Sequence, residues 1–297
     1  MSTLKSIGIV GAGQMGSGIA HVIALGGYDV ILNDLEQSRL DQALALIEKN
    51  MMRQVGKGAV TESEVNAALS RITPSTELSA LANVDLAIEA ATENEAIKRQ
   101  VFENLCKHVA PNAYLATNTS SISITRLAAS TDRPEKFIGL HFMNPVPLMK
   151  LVEIIRGLAT DQATYEMATN LATSLDKTIA NSEDFPAFIV NRILMPMINE
   201  AICSLHEGVA GVAEIDEVMK LGMAHPMGPL HLADFIGLDV CLSILKVLHD
   251  GFGQPKYAPS PLLVNMVMAG KLGVKSGEGF YVHTKGSKEI QVAPAFA

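Results

Sequence analysis

The chain has 297 residues, 48% hydrophobic and 18% charged, which excludes a disordered or fibrous protein and leaves room for one large domain or two ordinary ones. Its formal net charge of -8 excludes general nucleic-acid binding, which draws on Lys and Arg. Three cysteines, Cys106, Cys203 and Cys241, form no CxxC pair, which argues against a disulfide framework and a zinc site and fits a reducing, cytoplasmic setting.

The first apolar run is too short for a signal peptide, and no stretch reaches the roughly 20 apolar residues that span a bilayer. No membrane partner and no metal are expected. In chain order, strands are expected over 6–10, 29–33, 85–89, 114–117 and 137–142, with helices over 16–25, 38–55 and 95–108. Strand–helix alternation of this kind implies an α/β domain with a doubly wound, mostly parallel sheet. Beyond Phe188 almost no strand pattern remains, and helices are expected over 188–206, 215–221, 230–248 and 262–269. The polar stretch SEDFP, ending at Pro186, divides the chain into 1–185 and an all-α C-terminal domain over 186–297.

The strongest local signal is Gly11-Ala12-Gly13-Gln14-Met15-Gly16, between the first strand and the first helix. Gly11 permits the tight turn, Gly13 lets backbone approach a pyrophosphate, and Gly16 allows close helix–strand packing. The helix N-terminus offers free N–H groups to the diphosphate. The second strand ends at Asp34, where a carboxylate accepts the adenosine ribose hydroxyls and repels a 2′-phosphate, so NAD is favoured over NADP.

Phe137 to Arg156, FIGLHFMNPVPLMKLVEIIR, holds two apolar runs joined by a turn-rich Asn-Pro-Val-Pro. His141 and Glu153 are equidistant from Pro147, so an antiparallel hairpin sets imidazole beside carboxylate. A carboxylate on one ring nitrogen fixes the tautomer and raises the basicity of the other. Such a pair can remove a proton from an alcohol. Asn118-Thr119-Ser120-Ser121 follows the 114–117 strand, at the carboxyl edge where open α/β sheets place ligands; the same residues would also suit a helix N-cap.

With these motifs in view, the chain resembles the L-3-hydroxyacyl-CoA dehydrogenases, in particular the bacterial short-chain enzymes acting on 3-hydroxybutyryl-CoA. The matching stretches are GIVGAGQMGSGIA, NTSSISIT, GLHFMNPVPLMKLVEII, FIVNRILMPMINEA, HPMGPLHLADFIGLD and KSGEGFY, which together run through nearly the whole chain. The resemblance implies a Rossmann-like N-terminal domain carrying the His–Glu pair. It also implies a helical C-terminal domain that binds substrate and forms a homodimer. The implied reaction is reversible NAD-dependent oxidation of an (S)-3-hydroxyacyl-CoA to the 3-oxoacyl-CoA.

The resemblance assigns His141 as general base with Glu153 as its partner, and gives Ser120 the substrate oxygen. Asn144 and Asn191 belong to the implied active site. For NAD it points to the glycine loop, Asp34, Glu93, Lys98, Asn118, Ser120, Asn144 and Lys275. For CoA it points to Arg53 and Lys57, which read equally well as solvated charges. One departure is Ala187 in DFPAFIVNR, where glycine is expected; the extra methyl would stiffen the linker. A dicarboxylic substrate (3-hydroxyadipyl-CoA), or a hydroxy- or sugar-acid substrate without CoA, is the alternative on the same fold.

Overall fold

The computed structural model describes residues 4–284, 286 and 289–297. It divides into two compact units, Met1–Phe185 and Pro186–Ala297.

In the first unit, β1 (Ser6–Val10), β2 (Asp29–Asn33), β3 (Ile72–Ser75), β4 (Leu86–Glu89), β5 (Tyr114–Thr117), β6 (Phe137–Phe142), β7 (Leu151–Arg156) and β8 (Thr178–Glu183) form one sheet. Its order is β3-β2-β1-β4-β5-β6-β7-β8. All neighbours run parallel except β6 and β7. The order reverses between β1 and β4, which creates the crevice where such sheets take ligands. Central strands such as β4 and β6 are buried along their whole length, hence their unbroken apolar runs. β3 and β8 are the two edges. They carry polar sequences, ITPS and TIANSE, and so show no strand pattern in the sequence.

The helices of this unit are α1 (Gln14–Leu25), α2 (Gln37–Gly56), α3 (Glu62–Ser70), α4 (Glu95–His108), α5 (Ile124–Ala128) and α6 (Gln162–Ser174). α1 packs Ile19 and Ile23 into a core with Ile7, Ile9, Val30 and Leu32. α3 starts on a capping box, Thr61 with Glu64. α5 is capped from far along the chain. The Asp184 carboxylate accepts from Ser123 Oγ (2.8 Å), Ile124 N (2.9 Å) and Thr125 N (2.8 Å), pinning the end of the unit to the segment after β5.

The second unit consists of α7 (Val190–His206), α8 (Val212–Glu217), α9 (Pro229–Ile236), α10 (Leu238–Phe252) and α11 (Pro261–Met268), with a short antiparallel pair, β9 (Tyr281–His283) and β10 (Ile290–Val292). The sequence reads 230–248 as one helix. Gly237, at φ 104, breaks it into α9 and α10, a backbone state open to glycine alone at no cost. Ala187 and Phe188 also have positive φ, 62 and 55. That conformation explains why glycine suits position 187, where this chain places a methyl group in the left-handed region. Asp234 ties β9 to α9: Oδ1 accepts from Phe280 N, and Oδ2 from Tyr281 N and His283 Nε2, each at 2.9 Å. Among the described residues, no helix is long and apolar enough to cross a membrane.

Two expected outcomes follow from the first unit. Asp184→Ala removes an acceptor shared by three donors and should cost about 1–2 kcal/mol in urea unfolding; unchanged stability would contradict the capping role. His21, in α1, is buried with Nε2 on Gln54 Oε1 at 2.9 Å. Burial holds its pKa below 6.5, with Gln54 opposing and Lys177 adding to the effect. The unfolded chain therefore binds this proton first as pH falls, and stability falls with it. His21→Gln should lose less stability than the wild type between about pH 6.5 and pH 5; equal slopes in urea titrations at each pH would contradict this.

Candidate active site

β6 and β7 pair antiparallel in the register that sets His141 opposite Glu153. Side chains opposite one another share a face, and His141 Nδ1 lies 2.6 Å from Glu153 Oε2. Glu153 has no exposed surface and His141 is 7% exposed. An ionised carboxylate can only accept, so Nδ1 carries the proton and Nε2 holds the lone pair of the neutral ring. A buried carboxylate needs such a partner, because an unpaired one is prohibitively costly.

Asn118 directly follows β5, the neighbour of β6. Its Oδ1 accepts from Phe142 N at 2.9 Å, which fixes the amide oxygen against β6. The next three residues wrap around Glu93. Glu93 Oε1 accepts from Thr119 Oγ1 (2.8 Å), Ser120 N (2.7 Å), Ser120 Oγ (2.8 Å) and Ser121 Oγ (3.3 Å). Lys98, in α4, is buried, with Nζ 2.6 Å from Glu89 Oε2 and 3.7 Å from Glu93 Oε2. These groups gather at the carboxyl ends of β4, β5 and β6.

At the carboxyl end of β1 the glycine loop behaves as its spacing implies. A Cβ on Gly11, at φ 104, would strike the backbone of Ala90 and Ala91, and one on Gly16 would fall on the Gly11 carbonyl. Gly13 faces open space, and α1 starts without a side-chain cap, so its first-turn N–H groups suit a diphosphate. Asp34 Oδ2 accepts from Ala12 N at 2.8 Å, which holds the carboxylate beside the loop. These features fit an NAD-type dinucleotide.

Gln14 and Asn144, far apart in sequence, meet through Gln14 Nε2 donating to Asn144 Oδ1 at 3.1 Å. They border an open pocket between α1, α2 and the Asn144–Pro145 turn, also lined by His21, Leu46 and Asn50. Arg53 lies in the last turn of α2, where its Nη1 donates to Asn50 Oδ1 at 3.4 Å, and Lys57 caps that helix. Met15 packs against the core of the first unit. Asn191 and Lys275 belong to the second unit. Asn191 is buried in the first turn of α7, and Lys275 forms an ion pair with Asp239. Among the described residues, no group of three or more His, Cys, Asp or Glu could hold a metal ion.

Sequence reasoning passes over Glu89, Thr117, His21 and Asn50. Glu89 carries the signal that exposes Glu153, a charge inside an apolar strand (LAIE beside LVEII). His21 and Asn50 carry none, since helical spacing alone does not say which polar residue borders a pocket.

Residues 6–185 match the family model described as 3-hydroxyacyl-CoA dehydrogenase, NAD binding domain, and residues 188–283 match the C-terminal domain of the same family. The 3-hydroxybutyryl-CoA dehydrogenase of Bradyrhizobium diazoefficiens is 59% identical over 97% of this chain and 98% of its own length. A probable 3-hydroxybutyryl-CoA dehydrogenase of Bacillus subtilis is 52% identical over 94% of this chain and 97% of its own. Among solved structures, (S)-3-hydroxybutyryl-CoA dehydrogenase from Ralstonia eutropha is similar with a TM-score of 0.92 and 47% identity, covering 95% of this chain and all of that one. Sheet order, glycine loop and two-domain match agree: the chain belongs to the 3-hydroxyacyl-CoA dehydrogenase family and is an enzyme with an NAD-binding domain.

Proposed function

We propose that the chain oxidises (S)-3-hydroxybutyryl-CoA to acetoacetyl-CoA, reversibly, with His141 as general base and Glu153 as its partner. The observation that carries the catalytic assignment is the 2.6 Å contact between His141 Nδ1 and Glu153 Oε2. Relatives that carry the short-chain name, at 59% and 52% identity, support the substrate. His141 Nε2 takes the 3-hydroxyl proton, and Glu153 stabilises the imidazolium that forms. Ser120 positions the reacting oxygen. In the reverse direction the imidazolium returns the proton to the keto oxygen.

NAD, when bound, would accept the hydride that leaves C3 of the substrate. Gly11 to Gly16 would hold its diphosphate and Asp34 its adenosine ribose. Glu93, Lys98, Asn118 and Asn144 would complete its contacts on the first unit. Asp34 would repel a 2′-phosphate, so NADH is preferred to NADPH. The CoA arm lies along the pocket bordered by Asn50 and Asn144, with Arg53 and Lys57 meeting its phosphates.

The second unit serves substrate binding and homodimer formation. The supporting feature is an exposed apolar run, Val218 (62% exposed), Leu221 (76%) and Met223 (63%), of the kind that marks protein interfaces.

NADH oxidation with acetoacetyl-CoA, wild type beside His141→Ala, tests the reaction. The wild type should turn over, and His141→Ala should lose about 10²–10⁴-fold in kcat with a much smaller change in KM. Glu153→Gln should fold and lose less than His141→Ala. Turnover confined to a dicarboxylic acyl-CoA or a free keto acid would overturn the short-chain substrate, and an unchanged kcat in His141→Ala would overturn the base. By sedimentation, the wild type should be a dimer and Leu221→Glu should shift it towards monomer; a monomeric wild type would overturn the dimer.

A further inference from the structure

The mechanism above gives no task to Glu89, which ends β4 with no exposed surface. Both of its oxygens are occupied. Oε2 accepts from Lys98 Nζ at 2.6 Å and from Thr117 Oγ1 at 2.8 Å. Oε1 accepts from Ala91 N at 2.8 Å and from Thr92 N at 3.4 Å. One carboxylate therefore ties together β4, the start of the β4–α4 loop, α4 and the end of β5.

Two carboxylates compete for the Lys98 ammonium. Nζ is 2.6 Å from Glu89 Oε2 and 3.7 Å from Glu93 Oε2. Glu89 is fully buried, whereas the Glu93 side chain is 42% exposed, so solvent screens the attraction of Glu93 more strongly. The Glu89 oxygens are also fixed in place by three further donors. Glu93 meanwhile gives Oε1 to four donors from residues 119–121, one of which is the Ser120 hydroxyl.

We propose that Glu89 is a positioning residue for this reaction: it holds the Lys98 ammonium off Glu93, so that Glu93 keeps its carboxylate for the Ser120 loop and Lys98 keeps its place at the cofactor. The proposal rests on the functional reading above. Buried ion pairs add little net stability over apolar residues of the same size, so the contribution of this pair lies in where it puts the charge. With glutamine at 89, the ammonium loses its stronger partner and moves onto Glu93 Oε2. Glu93 then turns towards Lys98, and residues 119–121 lose their common acceptor.

The test is a double-mutant cycle on the full chain. Its readouts are melting temperature, the NADH dissociation constant from fluorescence, and kcat with acetoacetyl-CoA. Glu89→Gln should weaken NADH about tenfold and lower kcat by about tenfold, as should Lys98→Met. Glu89→Gln/Lys98→Met should be no worse than Lys98→Met in either readout, because no ammonium remains to misplace. It should also melt higher than Lys98→Met, because no carboxylate is left buried alone.

A lower melting temperature in Glu89→Gln with wild-type NADH binding and kcat, measured where the variant is folded, would reduce the pair to a structural one and overturn the proposal. Effects that multiply in the double variant would also overturn it. If Glu89→Gln does not fold, Glu89→Asp keeps the charge but draws the carboxylate back from Lys98 and should shift both readouts in the same direction by about threefold; no shift overturns the proposal. A wild type that binds NADH but leaves acetoacetyl-CoA untouched would instead fail the functional reading, and the NADH arm of the cycle would still decide the role of Glu89.

Discussion

The hydrogen bond between His141 Nδ1 and Glu153 Oε2 at 2.6 Å depends on one structural decision, the antiparallel register of β6 and β7. Side chains in a strand alternate faces, so a slip of one residue would send His141 and Glu153 to opposite faces of the sheet. Glu153 would then be buried among apolar neighbours without its imidazole, an arrangement far too costly to persist. The catalytic assignment and the stability of the hairpin thus rest on the same contact. β6 is at the same time a parallel neighbour of β5, which brings Asn118 alongside Phe142 and sets the loop with Ser120 near the end of the same sheet.

The carboxyl ends of the parallel strands repeat one theme, acidic side chains held by donors from a neighbouring loop, strand or helix. Asp34 follows β2 and accepts from Ala12 N. Glu89 ends β4 and accepts from Lys98, Thr117 and two backbone amides. Glu93 gathers the Thr119–Ser121 donors. Each carboxylate stiffens a loop that helices alone would leave free, and together they build a preorganised rim at the topological switch point. Preorganised polar groups in such positions cost no reorganisation when charge develops in the reaction.

Much of this was legible in the sequence because two kinds of signal are local. Glycine spacing between a strand and a helix states its own geometry, and the structure places Gly11 at φ 104 with Gly16 against its carbonyl. A charge inside an apolar strand, as at Glu153, announces a buried partner. β3 and β8 were not legible because edge strands need no continuous apolar run. α3 lies outside the predicted helices although its Thr61–Glu64 capping box is written in TESE. The α9–α10 break is invisible in the sequence because the helical period continues across Gly237, and the backbone φ of 104 shows the interruption. The pocket wall formed by His21 and Asn50 depends on how α1 and α2 pack, which no local pattern encodes.

Nitrogen-15 NMR of labelled histidine, with His141 assigned by comparison with His141→Gln, tests the central claim most directly. In the neutral ring the hydrogen bond to Glu153 requires a protonated Nδ1 and an unprotonated Nε2, and Glu153→Gln should relax that preference. A wild-type His141 that carries its proton on Nε2 would contradict the account, because the nitrogen assigned to receive the substrate proton would already be occupied.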